Sequence, residues 1–278
     1  MSSPLPPGVP REDRYLEHLG SPSFTEIAAV ADQFLVDHAA VLPRARGRVN
    51  DSFRQWSRQW EYPFASERLI SRLRDKGDVR ILDAGCGVTF FPFHLMEQLP
   101  DAQIHCCDLS PEAGRILDRI PGPGGRTVEF AATDLRALPY EDGSFDAVYC
   151  ISVLEHTEEY PTIIDEFWRV LRPGGSLVLT FDVSIDGTVD IDIDGGTRLL
   201  EALTRRFDAP GISLDLRAQV TGPDVFTTVS ATRIDRGLLP WSRRAAVLLQ
   251  LKRLVTTRRL RSWPPLMTVF CAEFTRPE

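Results

Sequence analysis

The stretch Val79-Arg-Ile-Leu-Asp-Ala-Gly-Cys-Gly-Val-Thr-Phe90 decides the fold. Its apolar start, Val79 to Leu82, reads as a strand buried on both faces, as in a parallel sheet. Asp83 stands at the carboxyl end of that strand. Gly85 and Gly87 then make a tight turn with no Cβ in the way of a ligand. Ligands of open α/β sheets sit at the carboxyl ends of strands, where the strand order reverses. A dinucleotide fingerprint would need a third glycine three residues after Gly87. Phe90 stands there instead, and no Gly-Lys-Ser/Thr is present to make a phosphate loop. An acid before the first glycine suits a ligand with an ammonium group and no pyrophosphate.

Downstream, strands and helices alternate. Phe91 to Leu99 reads as a crossover helix and Ile104-His-Cys-Cys-Asp108 as the second strand. Asp108 lies 21 residues after Gly87. A carboxylate there can accept both hydroxyls of a ribose. NAD enzymes use the same arrangement, so Asp108 speaks for an adenosine cofactor in general. It also suits the start of the helix opened by Ser110-Pro111-Glu112. Val128 to Ala131 is the third strand, followed by Thr133-Asp134-Leu135. Leu138-Pro-Tyr leads through Phe145-Asp-Ala-Val-Tyr-Cys-Ile151, the fourth strand, to Leu154-Glu-His156. Pro161 to Leu171 is a helix, stopped by Arg172-Pro-Gly-Gly175 before a fifth strand, Leu177 to Phe181.

In order and spacing these motifs resemble the class I S-adenosylmethionine (SAM) dependent methyltransferases, specifically the type 11 group. The resemblance runs from Val79 to Asp182 and fades outside that span. It implies an α/β fold: a Rossmann-like, seven-stranded, mostly parallel sheet with helices on both faces. It implies SAM as the cofactor, held by Asp83, Ala84, Gly85, Cys86 and Gly87, with Asp108 and Leu109 at the ribose end. By the same likeness Asp134 meets the adenine amino group, Leu135 packs on the ring, and Ile151 passes beneath the methionine moiety.

The flanks divide the chain further. Residues 1–22, rich in Pro, Gly and charge, read as a loose tail. Residues 23–75 read as a helical cap. Ser23-Phe-Thr-Glu26 forms a capping box for a helix to about Leu42. A second helix from Asp51 ends at Pro63, and a third runs from Phe64 to Arg74. Trp60 and Tyr62, with Trp56 and Phe64, either pack this cap on the sheet or line the substrate side; in the resembled family such a segment covers the cofactor. The SAM-binding core spans 76–218, with a helix from Gly196 to Phe207 and a strand from Ile212 to Arg217. A helical insertion at 219–265 precedes the last strand, at 266–278. Within that insertion Arg243 to Arg261 holds seven Lys/Arg and no acid. This basic segment reads as a solvated helix face, a surface for an acidic substrate or partner, or a membrane contact.

Composition bounds the rest. A net charge of −7 argues against a general nucleic-acid binder. The five cysteines show no Cys-x-x-Cys and read as small buried hydrophobes in a reducing compartment. No apolar run has the length of a membrane span and no signal pattern opens the chain, so a cytoplasmic location is expected. Asp190-Ile-Asp-Ile-Asp-Gly195 with Glu201 fits the calcium-loop pattern, but the flanking helices it needs are not both present, so no metal is expected. Methyl transfer from a sulfonium needs positioning, exclusion of water and, for a hydroxyl acceptor, a base. His156 is the first choice for that base and for an acceptor contact; a structural or cofactor-orienting role is the alternative. The expected acceptor is an O or N nucleophile of a small molecule, such as a bacterial secondary metabolite. A peptide substrate or a non-catalytic SAM-binding subunit are the other readings.

Overall fold

The computed structural model describes residues 3–42, 53–239 and 263–278. The elements, in chain order, are α1 (Glu12–Leu19), α2 (Pro22–Asp37), α3 (Arg58–Leu73), β1 (Arg80–Ala84), α4 (Phe91–Gln98), β2 (Gln103–Asp108), α5 (Pro111–Leu117), β3 (Glu129–Ala132), β4 (Phe145–Ile151), α6 (Tyr160–Val170), β5 (Leu171–Ser184), α7 (Ile193–Thr204), α8 (Leu216–Gln219), α9 (Thr228–Ile234) and β6 (Met267–Thr275).

Among the described residues the sheet has six strands, in the order β3-β2-β1-β4-β5-β6. The first five run parallel and β6 is antiparallel to β5. The order reverses between β1 and β4, so the Gly85–Gly87 turn lies at the switch point. Alternation along the strands feeds two cores. Ile81, Tyr149, Val178 and Cys271 face α2, α3 and α4, while Leu82, Val148, Leu179 and Phe270 face α6 and α7. The observed architecture is thus α/β, with helices on both faces.

The expected seventh strand at Ile212–Arg217 is absent. Pro210 and Gly211 break the chain there, and Asp215 caps α8 by accepting from the Ala218 N–H at 2.9 Å. Leu216 is buried as the anchor of that short helix. The expected loose tail is also corrected. Gly8 pairs with Cys271 at the outer edge of β6, Leu5 donates its N–H to Glu67, and Tyr15 stacks on Phe226 in the core. Pro and Gly here serve an edge-covering strap that buries Leu5 and Tyr15.

The cap differs in its local signals. Ser21, not Ser23, caps α2, accepting from Phe24 N–H, with Pro22 in the first turn. Pro63 does not end a helix: α3 runs unbroken through it. The proline sits near the helix start and forfeits one N–H. Burial of Trp60, Tyr62, Phe64 and Leu69 along α3 outweighs that loss. Helix α7 begins three residues before the expected Gly196, at Ile193, because Asp192 accepts from Gly195 N–H as its N-cap. Of the expected insertion at 219–265, the described part holds the end of α8 and all of α9, and the basic segment Arg243–Arg261 lies outside the described residues. No helix among the described residues is long and apolar enough to cross a membrane.

Candidate active site

The β1 turn is built by backbone conformation. Gly85 (φ 79°) and Gly87 (φ 53°) both lie in the left-handed region. A Cβ on Gly85 would meet Val153 Cγ2 at 2.7 Å, whereas one on Gly87 would meet nothing within 4 Å. Gly85 is therefore pinned beneath the segment after β4, and Gly87 faces open space. The N–H groups of Gly85 and Cys86 both donate to the Cys107 carbonyl, at 2.8 and 3.0 Å, tying the turn to β2.

Asp108, at the end of β2, accepts from the Gly87 N–H at 3.0 Å and from the Ser110 N–H at 2.8 Å. An ionised carboxylate has about four acceptor sites, so two remain for a pair of ligand hydroxyls. Leu109 beside it is 73% exposed, an apolar side chain offered to solvent at the ribose end of the expected site.

Asp83 is buried, and burial pushes its carboxyl up to about 8. Together with Tyr62, Gly85, Cys86, Thr89, Phe91, Tyr149 and Ile151 it lines a cavity of about 20 Å³. Tyr149 is the register partner of Asp83 across β1 and β4, and its buried hydroxyl faces the Asp83 carboxyl. Ala84 is fully enclosed in the sheet, and Cys86 is one of five buried free thiols.

The adenine end is less free than expected. Both Asp134 oxygens are engaged by Arg136, at 3.0 Å from Nε and 2.6 Å from Nη2, and this pairing holds the carboxyl below its usual range. Leu135 is buried in the core that faces α6 and α7. Trp60 is fully buried in the cap, stacked near Tyr15 and edge-on to His18. That packing corrects the expectation that it touches substrate. Tyr62 does reach the site, packed against Phe90 and Phe91 on the wall of the small cavity.

His156 ends a short 3-10 turn after β4. Its side chain is 59% exposed, and Nδ1 lies 3.2 Å from Asp190 Oδ1. The Asp190 hydrogen bond raises the imidazole above its ordinary value. The carboxylates of the calcium-like pattern thus go to separate partners. Asp190 meets His156, Asp192 caps α7, and Asp194 pairs with Arg217 at 2.6 Å.

One group of side chains was missing from the sequence reading. Glu61 of α3 is fully buried and paired with Arg58. It accepts from Ser152 Oγ at 2.6 Å and from the Thr180 hydroxyl, and Arg58 also donates to Ser152. Ser152 has a positive φ of 49°. Glu155 accepts from the Asp182 N–H at 3.3 Å. These residues gather the cap and the ends of β4 and β5 into one polar cluster beside the glycine turn. An acid set between Trp60 and Tyr62, inside an aromatic run, was the one local hint.

Residues 82–179 match the type 11 methyltransferase domain family. A demethylmenaquinone methyltransferase of Deinococcus radiodurans is 34% identical over 122 residues, which cover 44% of this chain and 48% of that protein. Methyltransferase GfsG of Streptomyces halstedii is 33% identical over 132 residues, covering 45% of this chain and 47% of that one. The chain spans about half the length of the curated relatives it matches. The crystal structure of the [4+2]-cyclase SpnF superposes with a TM-score of 0.54 at 21% identity, covering 99% of each chain. That likeness concerns the fold alone, and a fold does not decide a chemistry.

Proposed function

We propose that this chain, whose residues 82–179 carry a type 11 methyltransferase domain, transfers a methyl group from SAM to an O or N nucleophile of a small molecule. The observation that carries the reading is the pairing of the Gly85–Gly87 turn with Asp108 at the switch point of the sheet. Asp108 keeps two acceptor sites for a ribose, Gly87 leaves the approach open, and Leu109 offers an apolar surface to the adenine. Bound there, the cofactor would supply an activated methyl group on its sulfonium. The protein's part is positional. Asp83 and the turn backbone hold the methionine end, Tyr62 and Ile151 wall it, and the cap excludes water. Asp134 contributes at the adenine only by sharing the carboxylate that Arg136 now holds.

His156, with Asp190 behind it, is the proton acceptor for a hydroxyl substrate in this reading. The two residues form a partly exposed pair just past the carboxyl end of β4. A screen with methyl-labelled SAM against metabolite fractions tests the activity. Label transfer that depends on Asp108 supports the reading. Tight SAM binding with no transfer to any fraction would instead favour a non-catalytic SAM-binding subunit.

A further inference from the structure

At the ends of β4 and β5 the fold gathers three carboxyl groups, two of them on buried residues, around one guanidinium. Arg58 is spent on Glu61, whose other oxygen is satisfied by Ser152 and Thr180. His156 is spent on Asp190. Glu155 and Asp182 are left with no cation of their own. Glu155 is 5% exposed, and its Oε2 is buried without a hydrogen-bond partner; so is Oδ1 of Asp182. The groups facing this pair are Arg58 and Glu61 from α3, Cys150 of β4, His156 just past β4, Asp190 from the loop after β5 and Cys271 of β6. Burial raises Glu155 to about 8 and Asp182 well above its ordinary value, so desolvation favours the protonated form of both. Asp182 as a residue is only partly buried and its neighbour His156 is 59% exposed, so the pair lies just beneath the surface on the His156 side.

We propose that Glu155 and Asp182 bind the ammonium group of an amine-bearing acceptor. The inference rests on the methyltransferase reading for the word acceptor, not for the binding chemistry. An ammonium has three donors and one charge, and it fits two unpartnered carboxyl oxygens that lack a counter-ion. A calcium ion would ask for six or more oxygens, and the pair offers two free ones. The cofactor's own ammonium belongs elsewhere: the glycine turn lies on β1 and β2, while the pair lies across β4 on the β5 side. On binding, the carboxyl O–H bond of one acid breaks, the proton leaves to solvent, and the carboxylate pairs with the ammonium.

Calorimetry at pH 7 in two buffers of different ionisation enthalpy tests this on the full chain, with and without saturating S-adenosylhomocysteine. The probes are primary alkyl- and arylalkylamines at millimolar concentration, with alcohols of the same carbon skeletons. Amines are expected to bind at least about ten-fold more tightly than their alcohols and to release up to about one proton each, since the acid must ionise. Glu155→Gln and Asp182→Asn mimic the neutral acids in shape; they should keep the fold, lose the proton release and weaken amine binding about ten-fold. Equal binding of amines and alcohols, or proton release unchanged in both variants, would overturn the proposal. So would the same proton appearing when S-adenosylhomocysteine binds alone, because the cofactor would then occupy the pair. Failure of S-adenosylhomocysteine to bind counts against the methyltransferase reading, and the amine arm is then decided on the protein alone.

Discussion

The carboxylate of Asp108 accepts the backbone N–H of Gly87 at 3.0 Å, so the last residue of β2 fixes the glycine turn that follows β1. One side chain shapes the turn and keeps acceptor sites for a ligand. Asp108→Ala should weaken SAM binding by about 1.5–3 kcal/mol, the worth of hydrogen bonds to a charged group. It should also speed hydrogen exchange at Gly87. Calorimetry and exchange on the same variant separate the two effects, and an unchanged SAM affinity would remove Asp108 from the site.

Gly85 tests the turn from the other side. Its left-handed φ costs an L residue about 1–2 kcal/mol, and its Cβ would press on Val153 Cγ2 at 2.7 Å. Gly85→Ala should therefore lose stability by more than the backbone cost alone. Adding Val153→Ala should recover the steric part. A double-mutant cycle by urea unfolding measures the coupling; strict additivity would mean that the turn moves to relieve the clash.

Glu61 is the hub of the buried cluster. Glu61→Ala would leave Arg58 as an uncompensated charge under the cap, and removing one partner of a buried pair costs about 3–5 kcal/mol. Glu61→Gln should cost less, because it can still accept from Ser152 and Thr180. Denaturant melts rank the two variants.

Stability should fall as pH rises towards 8. Glu155 is raised to about 8 when folded, so the native state holds its proton where the unfolded chain has lost it. That contribution is full below the ordinary Glu pKa of about 4.3 and is lost as pH climbs through the folded value. Asp83, raised to about 8 by burial, acts in the same direction. Thermal melts between pH 5 and pH 9 (roughly the span of those values) should show the decline. Glu155→Gln should flatten it in part, and an unaltered slope would show that Glu155 is ionised in the folded protein.

His156 should titrate above its ordinary pKa of about 6.5, because its hydrogen bond to Asp190 favours the imidazolium. Asp190→Asn should bring it down, which ring-proton NMR reads directly. If His156 serves a hydroxyl acceptor, His156→Ala should cut transfer about 10²–10⁴-fold and leave SAM affinity alone. A lost affinity with an intact rate would assign it to the cofactor instead.

What could be read from the chain alone is what short-range chemistry decides. Val79, Ile81 and Leu82 put apolar side chains on both faces of one strand, with Arg80 as its single charge. Gly85 and Gly87 had to turn, and Asp108 followed at the spacing of one crossover helix. Each of these outcomes is set within one strand–helix–strand unit. The tertiary structure decided whatever depends on distant partners. Glu61 meets Ser152 and Thr180 across 91 and 119 positions, so no local pattern marks it as the centre of a polar cluster. Pro63 stays inside α3 because the core packed along that helix outweighs one lost N–H. Residues 3–22 are ordered because Gly8 finds the open edge of β6 and Tyr15 finds Phe226, both more than 200 positions away. Ile212–Leu216 alternates like a strand, yet Asp215 found a helix N-terminus to cap. Spacing fixes the glycine turn, while packing fixes which carboxyl groups are left without a counter-ion beside it.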